Sequence, residues 1–207
     1  FKEKYGNFIG GKFVESLSGN RFEVINPATE ATTTLAARGE RADIDAAVSA
    51  AKEAFDEGNW SRAEAGMPEG VYNMVLGYGQ EAGVPLVEHE DVIGVSFTGS
   101  PATARNIATR TAATLKRTSF ELGGKSANII FADADLPKAI RAAAASIFMN
   151  AGQACVAGSR ILVQQEIFDE FLAGFEKAAS KWPVGNPFNR KTRMGPLVSK
   201  LQYERVT

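Results

Sequence analysis

Asp91-Val92-Ile93-Gly94-Val95-Ser96-Phe97-Thr98-Gly99-Ser100-Pro101 is the stretch whose reading decides the fold. The run from Asp91 to Phe97 is short and apolar, and it predicts a buried strand. Thr98-Gly99-Ser100 then predicts a turn, and Pro101 suits the first turn of a helix, where its missing N–H would have had no intrahelical partner. Downstream the pattern repeats. Short strands are predicted near 119–122 and 127–131, a helix over 136–149, a strand at 160–164 and a helix over 167–181, with a Pro/Gly/Asn-rich surface loop at 182–189 and a polar helical run at 199–205. Strands alternating with helices predict an α/β fold with a mostly parallel sheet covered by helices.

Upstream of that stretch, Asn7-Phe8-Ile9 and Lys12-Phe13-Val14 flank Gly10-Gly11, and two glycines supply the positive φ angles of a tight hairpin turn. From 43 to 55, Ile44, Ala47, Val48, Ala51 and Phe55 recur at spacings of three and four and line one helix face, which Gly58 ends.

Composition excludes several classes of function. With 44% apolar and 23% charged residues, the 207-residue chain belongs with ordinary globular proteins and is long enough to bury a sizeable core. Lys and Arg number 23 against 24 Asp and Glu, so no global charge draws it to nucleic acid or to a membrane. One cysteine excludes an internal disulfide framework. Together with the single histidine, His89, it also argues against a Cys/His metal site, so no metal is expected. That cysteine usage favours a reducing, cytoplasmic setting. No run approaches the ~20 apolar residues of a membrane span, and Phe1-Lys2-Glu3-Lys4-Tyr5-Gly6 lacks the apolar core of a signal peptide.

The chemistry centres on two places. Ala151-Gly152-Gln153-Ala154-Cys155 puts the one thiol in a small-residue turn that a substrate can approach closely, so Cys155 reads as a nucleophile. The competing reading is an inert core thiol, the commoner fate of a free cysteine. Upstream, Phe120-Glu121-Leu122-Gly123-Gly124-Lys125-Ser126 offers an isolated carboxylate between apolar neighbours. Burying it charged and unpaired would be costly, so Glu121 reads as a base or, alternatively, as a strand-end ion pair with Lys116 or Lys125. Thr98-Gly99-Ser100 lies where a strand meets a helix N-terminus and suits an anionic phosphate, against the alternative of an ordinary turn. His89 and Trp182 read as a surface and a packing residue, as does Trp60 for packing. Lys116-Arg117 reads as a cap at a helix C-terminal end, and Phe148-Met149 as core with access to an apolar substrate.

A Glu-Leu-Gly-Gly-Lys segment followed at this distance by Gly-Gln-x-Cys resembles the NAD(P)-dependent aldehyde dehydrogenase superfamily. The resemblance extends to Asn26-Pro27-Ala28-Thr29-Glu30, Pro68-Glu69-Gly70-Val71-Tyr72-Asn73, Phe97-Thr98-Gly99-Ser100 and Met194-Gly195-Pro196-Leu197-Val198, in the family's order. It implies an aldehyde-dehydrogenase-like α/β fold: a partial dinucleotide-binding parallel sheet with helices, plus part of the catalytic domain. The implied divisions are an N-terminal segment at 1–66, a partial cofactor domain at 67–122 and a partial catalytic domain at 123–207.

It further implies that Cys155 attacks an aldehyde carbonyl, that hydride passes to NAD or NADP, and that Glu121 activates the water that hydrolyses the thioester. Gly99, Ser100, Leu122 and Gly79 fall on the cofactor side. Ala104 stands where the family usually has a second glycine. Family members run to more than twice this length. A long piece is expected to be missing between Glu64 and Met67, including the family's oxyanion asparagine, as is the oligomerising strand beyond Thr207. The chain therefore reads as a fragment, a spliced deletion product or an incomplete record of a homo-oligomeric dehydrogenase. Two other readings stand beside that enzyme: a non-catalytic remnant acting as a binding or structural partner, and a cofactor-independent, thioester-forming hydrolase.

Overall fold

A computed structural model describes residues 2–58 and 66–207, so Trp60 lies outside the described residues. The chain divides into two compact units. The first holds Phe1–Asn26 and Ala31–Glu121, the second Pro27–Glu30 and Leu122–Thr207.

In the first unit, β2 (Asn7–Ile9) and β3 (Lys12–Val14) form the expected antiparallel hairpin, with Phe8 opposite Phe13. Gly10 and Gly11 at its tip have φ of 57° and 77°, the left-handed conformation a two-residue hairpin turn requires. Asn73 ties this tip down, accepting from the Gly10 amide at 2.9 Å and donating to the Gly70 carbonyl at 2.6 Å. A second sheet orders β1 (Lys4–Tyr5), β5 (Thr32–Ala37) and β4 (Arg21–Ile25), the first pairing parallel and the second antiparallel.

Helix α1 (Arg41–Asp56) follows, and its inner face is Ile44, Ala47, Val48 and Ala54. Phe55 lies on the expected face with Ile44, Val48 and Ala51, lining an apolar cleft, and is 80% exposed there. Gly58 follows the end of α1 without a positive φ. It is glycine because a Cβ there would run into the Ala54 carbonyl.

Ile44, Val48 and Ala82 form a core cluster of this unit, with Val75 and Val92 packed against them. Ala36, Ala37, Val87 and Ile107 are buried as well, and polar contacts add to this packing. Asp43, 1% exposed, accepts four hydrogen bonds: Oδ1 from Asn7 Nδ2 (3.1 Å) and the Leu17 amide (2.9 Å), Oδ2 from Ser16 Oγ (3.1 Å) and the Glu40 amide (2.9 Å). Asn7 Oδ1 in turn accepts from the Leu76 amide at 3.0 Å. Gly39 and Gly77 cross so closely that a Cβ on Gly77 would lie 2.7 Å from the Gly39 carbonyl oxygen.

After a turn of π-helix at Gly79–Gly83 and α2 (Val84–Glu88), strand β6 (Gly94–Gly99) leads into α3 (Pro101–Ala112) and β7 (Arg117–Leu122), which lies beside β6. The apolar run 91–97 was expected to be buried. It is half-exposed, because among the described residues β6 has one strand neighbour and its alternate side chains face outward. Lys116 meets helix ends as expected: its amide donates to the Thr111 carbonyl in the last turn of α3 at 3.3 Å, and its amine to the carbonyl of His89, which ends α2. His89 is largely covered, not a surface residue: its side chain is 15% exposed, with Nδ1 accepting from the Asp91 amide and Nε2 3.7 Å from Asp45.

The second unit pairs β8 (Ala127–Ile130) and β9 (Arg160–Val163) in parallel, Ala127 opposite Arg160 and Ile130 opposite Val163. Helices α4 (Leu136–Phe148) and α5 (Phe168–Ala179) pack on each other, and their contact is close because Gly174 leaves no room for a Cβ against Ile140. Asp135 caps α4, its carboxylate accepting from the Lys138 amide at 3.2 Å. Ile130, Ala143 and Phe171 form the core, with Leu136, Ile140, Ile161 and Phe175 around them. Helix α6 (Lys200–Val206) closes the chain, Ser199 capping it through the Gln202 amide.

Asp43→Asn keeps the shape of the buried side chain but points an amide at two donors. We expect a loss of about 2–4 kcal/mol in urea unfolding; a loss below ~1 kcal/mol would mean the network contributes little. Arg38 pairs with Glu81 through Nε–Oε2 at 2.7 Å and through a second contact, and this hydrogen bond holds the Glu81 carboxyl below its ordinary value of 4.5. A lowered carboxyl contributes stability that is present above its ordinary value and is lost as pH falls through the folded value. Acid titration of stability should therefore be shallower below pH ~4.5 in Glu81→Gln than in the parent chain; identical titration curves would exclude that linkage.

Candidate functional site

Cys155 follows α4 on an irregular segment. After Phe148 the backbone turns left-handed at Asn150 (φ 54°), Ala151 (φ 54°) and Gly152 (φ 73°), then bends at Cys155 and returns along α4, where the Gly158 amide donates to the Ser146 carbonyl at 3.3 Å. Cys155 is exposed and free. A Cβ on Gly124 would sit 3.4 Å from the Cys155 carbonyl oxygen, so the Gly-Gly pair after Glu121 runs along the backbone of the cysteine's turn. Phe148 is half-buried against Phe175 and Trp182, at 6.0 and 6.1 Å between ring centroids, whereas Met149, expected in the core, is 62% exposed. Met149 leaves the helical backbone itself, with φ −57° and ψ 136°, before the left-handed residues begin.

Glu121 ends the first unit on β7 and Cys155 belongs to the second. Its carboxylate is exposed, which removes the desolvation cost that a buried position would carry. The ion pairs anticipated with Lys116 or Lys125 do not form among the described residues, since those amines donate to the carbonyls of His89 and Gly124. Leu122, the next residue, is half-buried.

Gly99 ends β6, and Ser100 is the N-cap of α3, its Oγ accepting from the Thr103 amide at 3.2 Å and lying 2.9 Å from Thr103 Oγ1. A Cβ on Gly99 would collide with the Phe97 ring, so glycine leaves an open backbone at the first turn of a twelve-residue helix. Ala104 is 4% exposed, packed where the next smallest residue to glycine still fits. Gly79 opens the π-helical turn on the rim of an apolar cleft of about 850 Å³, lined by α1 residues such as Val48 and Ala51 and by Val75, Leu86 and Ile93. That cleft contains neither Glu121 nor Cys155. Among the described residues no His/Cys/Asp/Glu group could hold a metal, and no helix is long and apolar enough to cross a membrane.

Two features of the site escape sequence reading. The Asn150-Ala151 left-handed pair carries no signal, because alanine is not a residue of that conformation. Gln153 was legible only as part of a motif, yet its side chain is fully engaged: Nε2 donates to the Asn150 carbonyl at 3.1 Å and Oε1 accepts from the Val198 amide at 2.9 Å.

Against known proteins, the aldehyde dehydrogenase family model matches in two pieces, residues 13–64 and 61–207. An aldehyde dehydrogenase of Emericella nidulans is 50% identical over 144 residues, 69% of this chain and 29% of that protein. Aldehyde dehydrogenase 1 of Tanacetum cinerariifolium aligns at 28% identity over 330 positions, covering 96% of this chain and 66% of that one. The NAD+ complex of an aldehyde dehydrogenase from Bacillus cereus superposes with a TM-score of 0.93 at 28% identity, over 99% of this chain and 68% of that chain. The chain thus spans under a third of the length of a relative such as the Emericella enzyme. With nearly every residue inside the family's two matched segments and its strands and helices arranged as in a solved member, the chain belongs to the aldehyde dehydrogenase family.

Proposed function

We propose that this chain oxidises an aldehyde to a carboxylic acid, with NAD or NADP as hydride acceptor, Cys155 as nucleophile and Glu121 as general base. The observation that carries the reading is Cys155 itself: the one thiol in a chain of this family stands exposed on a turn directly after α4.

The Cys155 thiolate attacks the aldehyde carbon, forming the C–S bond, and the carbonyl oxygen becomes an oxyanion. The backbone N–H of Cys155 donates to that oxyanion. The family's asparagine, its second donor, has no counterpart in this sequence, and loss of one such donor typically costs about 10²–10³ in turnover. When bound, the nicotinamide ring supplies the acceptor for the hydride that leaves the adduct carbon. Cys155 then carries a thioester. Glu121 takes a proton from a water that attacks the thioester carbon, which releases the acid and restores the thiolate.

The start of α3 fits a pyrophosphate. Gly99 brings open backbone to the helix end; because Pro101 lacks an N–H and the Thr103 amide is taken by Ser100 Oγ, the Ala102 amide and the helix dipole are what remain for an anion. Leu122 and Gly79 complete the cofactor side of the proposal, and the NAD+ bound by the Bacillus cereus relative supports that choice of ligand. We read 1–66, 67–122 and 123–207 as N-terminal, partial cofactor and partial catalytic segments of a cytoplasmic protein. Its partner is a small aldehyde, with neither nucleic acid nor a membrane; intact family members form homo-oligomers.

The test is NAD(P)H formation by the purified chain with a panel of aliphatic and aromatic aldehydes. Turnover is expected and should vanish in Cys155→Ala. Glu121→Gln should retain one equivalent of NAD(P)H per chain in a burst, while steady turnover falls about 10²–10⁴-fold. Ester cleavage without cofactor binding would replace this reading with the hydrolase. Absence of every activity, from a folded sample of the full mass, would leave the non-catalytic partner.

A further inference from the structure

Of the other features in the molecule, the apolar cleft beside α1 has nothing that says what fills it, and the Glu88, Arg110 and Arg41 cluster is a solvated surface network. The side chain of Gln153 is different, because both ends of its amide are committed and the two partners come from separate parts of the second unit.

We propose that Gln153 is a positioning residue for the nucleophile, a clamp that holds the left-handed turn at 150–152 and thereby presents Cys155. Asn150 and Ala151 sit in a conformation that L residues with a Cβ adopt at a cost, and nothing in their sequence favours it twice in succession. Bonds across the turn offset that cost: the Gln153 amide donates to the Asn150 carbonyl at 3.0 Å, and side chains add to it. Gln153 Nε2 donates to the Asn150 carbonyl at 3.1 Å, and Asn150 Nδ2 donates back to the Gln153 carbonyl at 2.9 Å, so the two amides close the turn reciprocally. The opposite end of the amide, Oε1, accepts from the Val198 N–H at 2.9 Å across 45 residues. Val198 is itself anchored, since the segment before it bridges to 183–185 through Met194, whose amide donates to the Pro183 carbonyl at 3.2 Å. The clamp thus ties the Gly-Gln-x-Cys turn to the Met-Gly-Pro-Leu-Val segment.

Removing the clamp should let the turn leave the left-handed conformation, so that Cys155 is presented for only part of the time. An observed rate then falls in proportion to the presented fraction. The proposal rests on Cys155 being the nucleophile, but alkylation reports how the thiol is presented whether or not oxidation follows, so the two readings fail separately.

The experiment uses the full 207-residue chain and follows alkylation of Cys155 by iodoacetamide against pH, reading the high-pH plateau. The plateau removes any change in thiol ionisation. We expect Gln153→Ala to lower it at least about threefold. Adding Ala151→Gly, which relieves the left-handed strain directly, should restore at least half of the loss. Gln153→Glu, which keeps the acceptor for Val198 and lacks the donor for Asn150, should fall between the parent and Gln153→Ala, and it stands as the reference variant if Gln153→Ala does not fold. A Gln153→Ala plateau lowered less than about threefold, a Gln153→Glu plateau no lower than the parent's where that variant is read instead, or a loss that Ala151→Gly leaves in place, would overturn the proposal.

Discussion

The buried carboxylate of Asp43 is the constraint on which the first unit depends. Isolated in an apolar interior it would be strongly unfavourable, and four donors converge on it from three chain segments: the first strand of the hairpin, the turn at 16–17 and the N-terminus of α1. Each segment needs the others, because losing any one leaves a buried charge under-satisfied. Asn7 extends the constraint by accepting from the Leu76 amide, which fixes the chain just before Gly77 and the π-helical turn. The four donors on Asp43 thus add a directional constraint to an apolar core that includes Ile44, Val48 and Ala82.

The hairpin at Gly10-Gly11 and the proline at the start of α3 were legible because each is a local rule: a φ requirement and a missing donor. Asp43 was legible only as the start of a helix. Its partner Asn7 lies 36 residues away, and no local pattern marks a carboxylate that long-range donors will bury. Phe55 fits the helical spacing and lies with Ile44 and Val48 along the cleft, yet stays exposed, since period gives the face and not how far it is covered. The run 91–97 misleads for a related reason: an apolar strand signals cover that the neighbouring chain must supply, and among the described residues β6 pairs with β7 alone.

In the candidate site the residue types were legible and the geometry was not. Cys155 and Glu121 stand out as an isolated thiol and an isolated carboxylate near paired glycines, and both are exposed. What the sequence does not reveal is how the thiol comes to be exposed. Had α4 continued past Phe148 with regular spacing, Cys155, seven residues on, would lie along the helix face that Phe148 presents to Phe175 and Trp182. A thiol among aromatic rings is held neutral and is a poor nucleophile. The left-handed turn at Asn150, Ala151 and Gly152 breaks that register before it reaches the cysteine. The strain of two non-glycine residues in this conformation is thus tied to the one outcome the proposed chemistry requires, a cysteine turned from the aromatic face toward solvent.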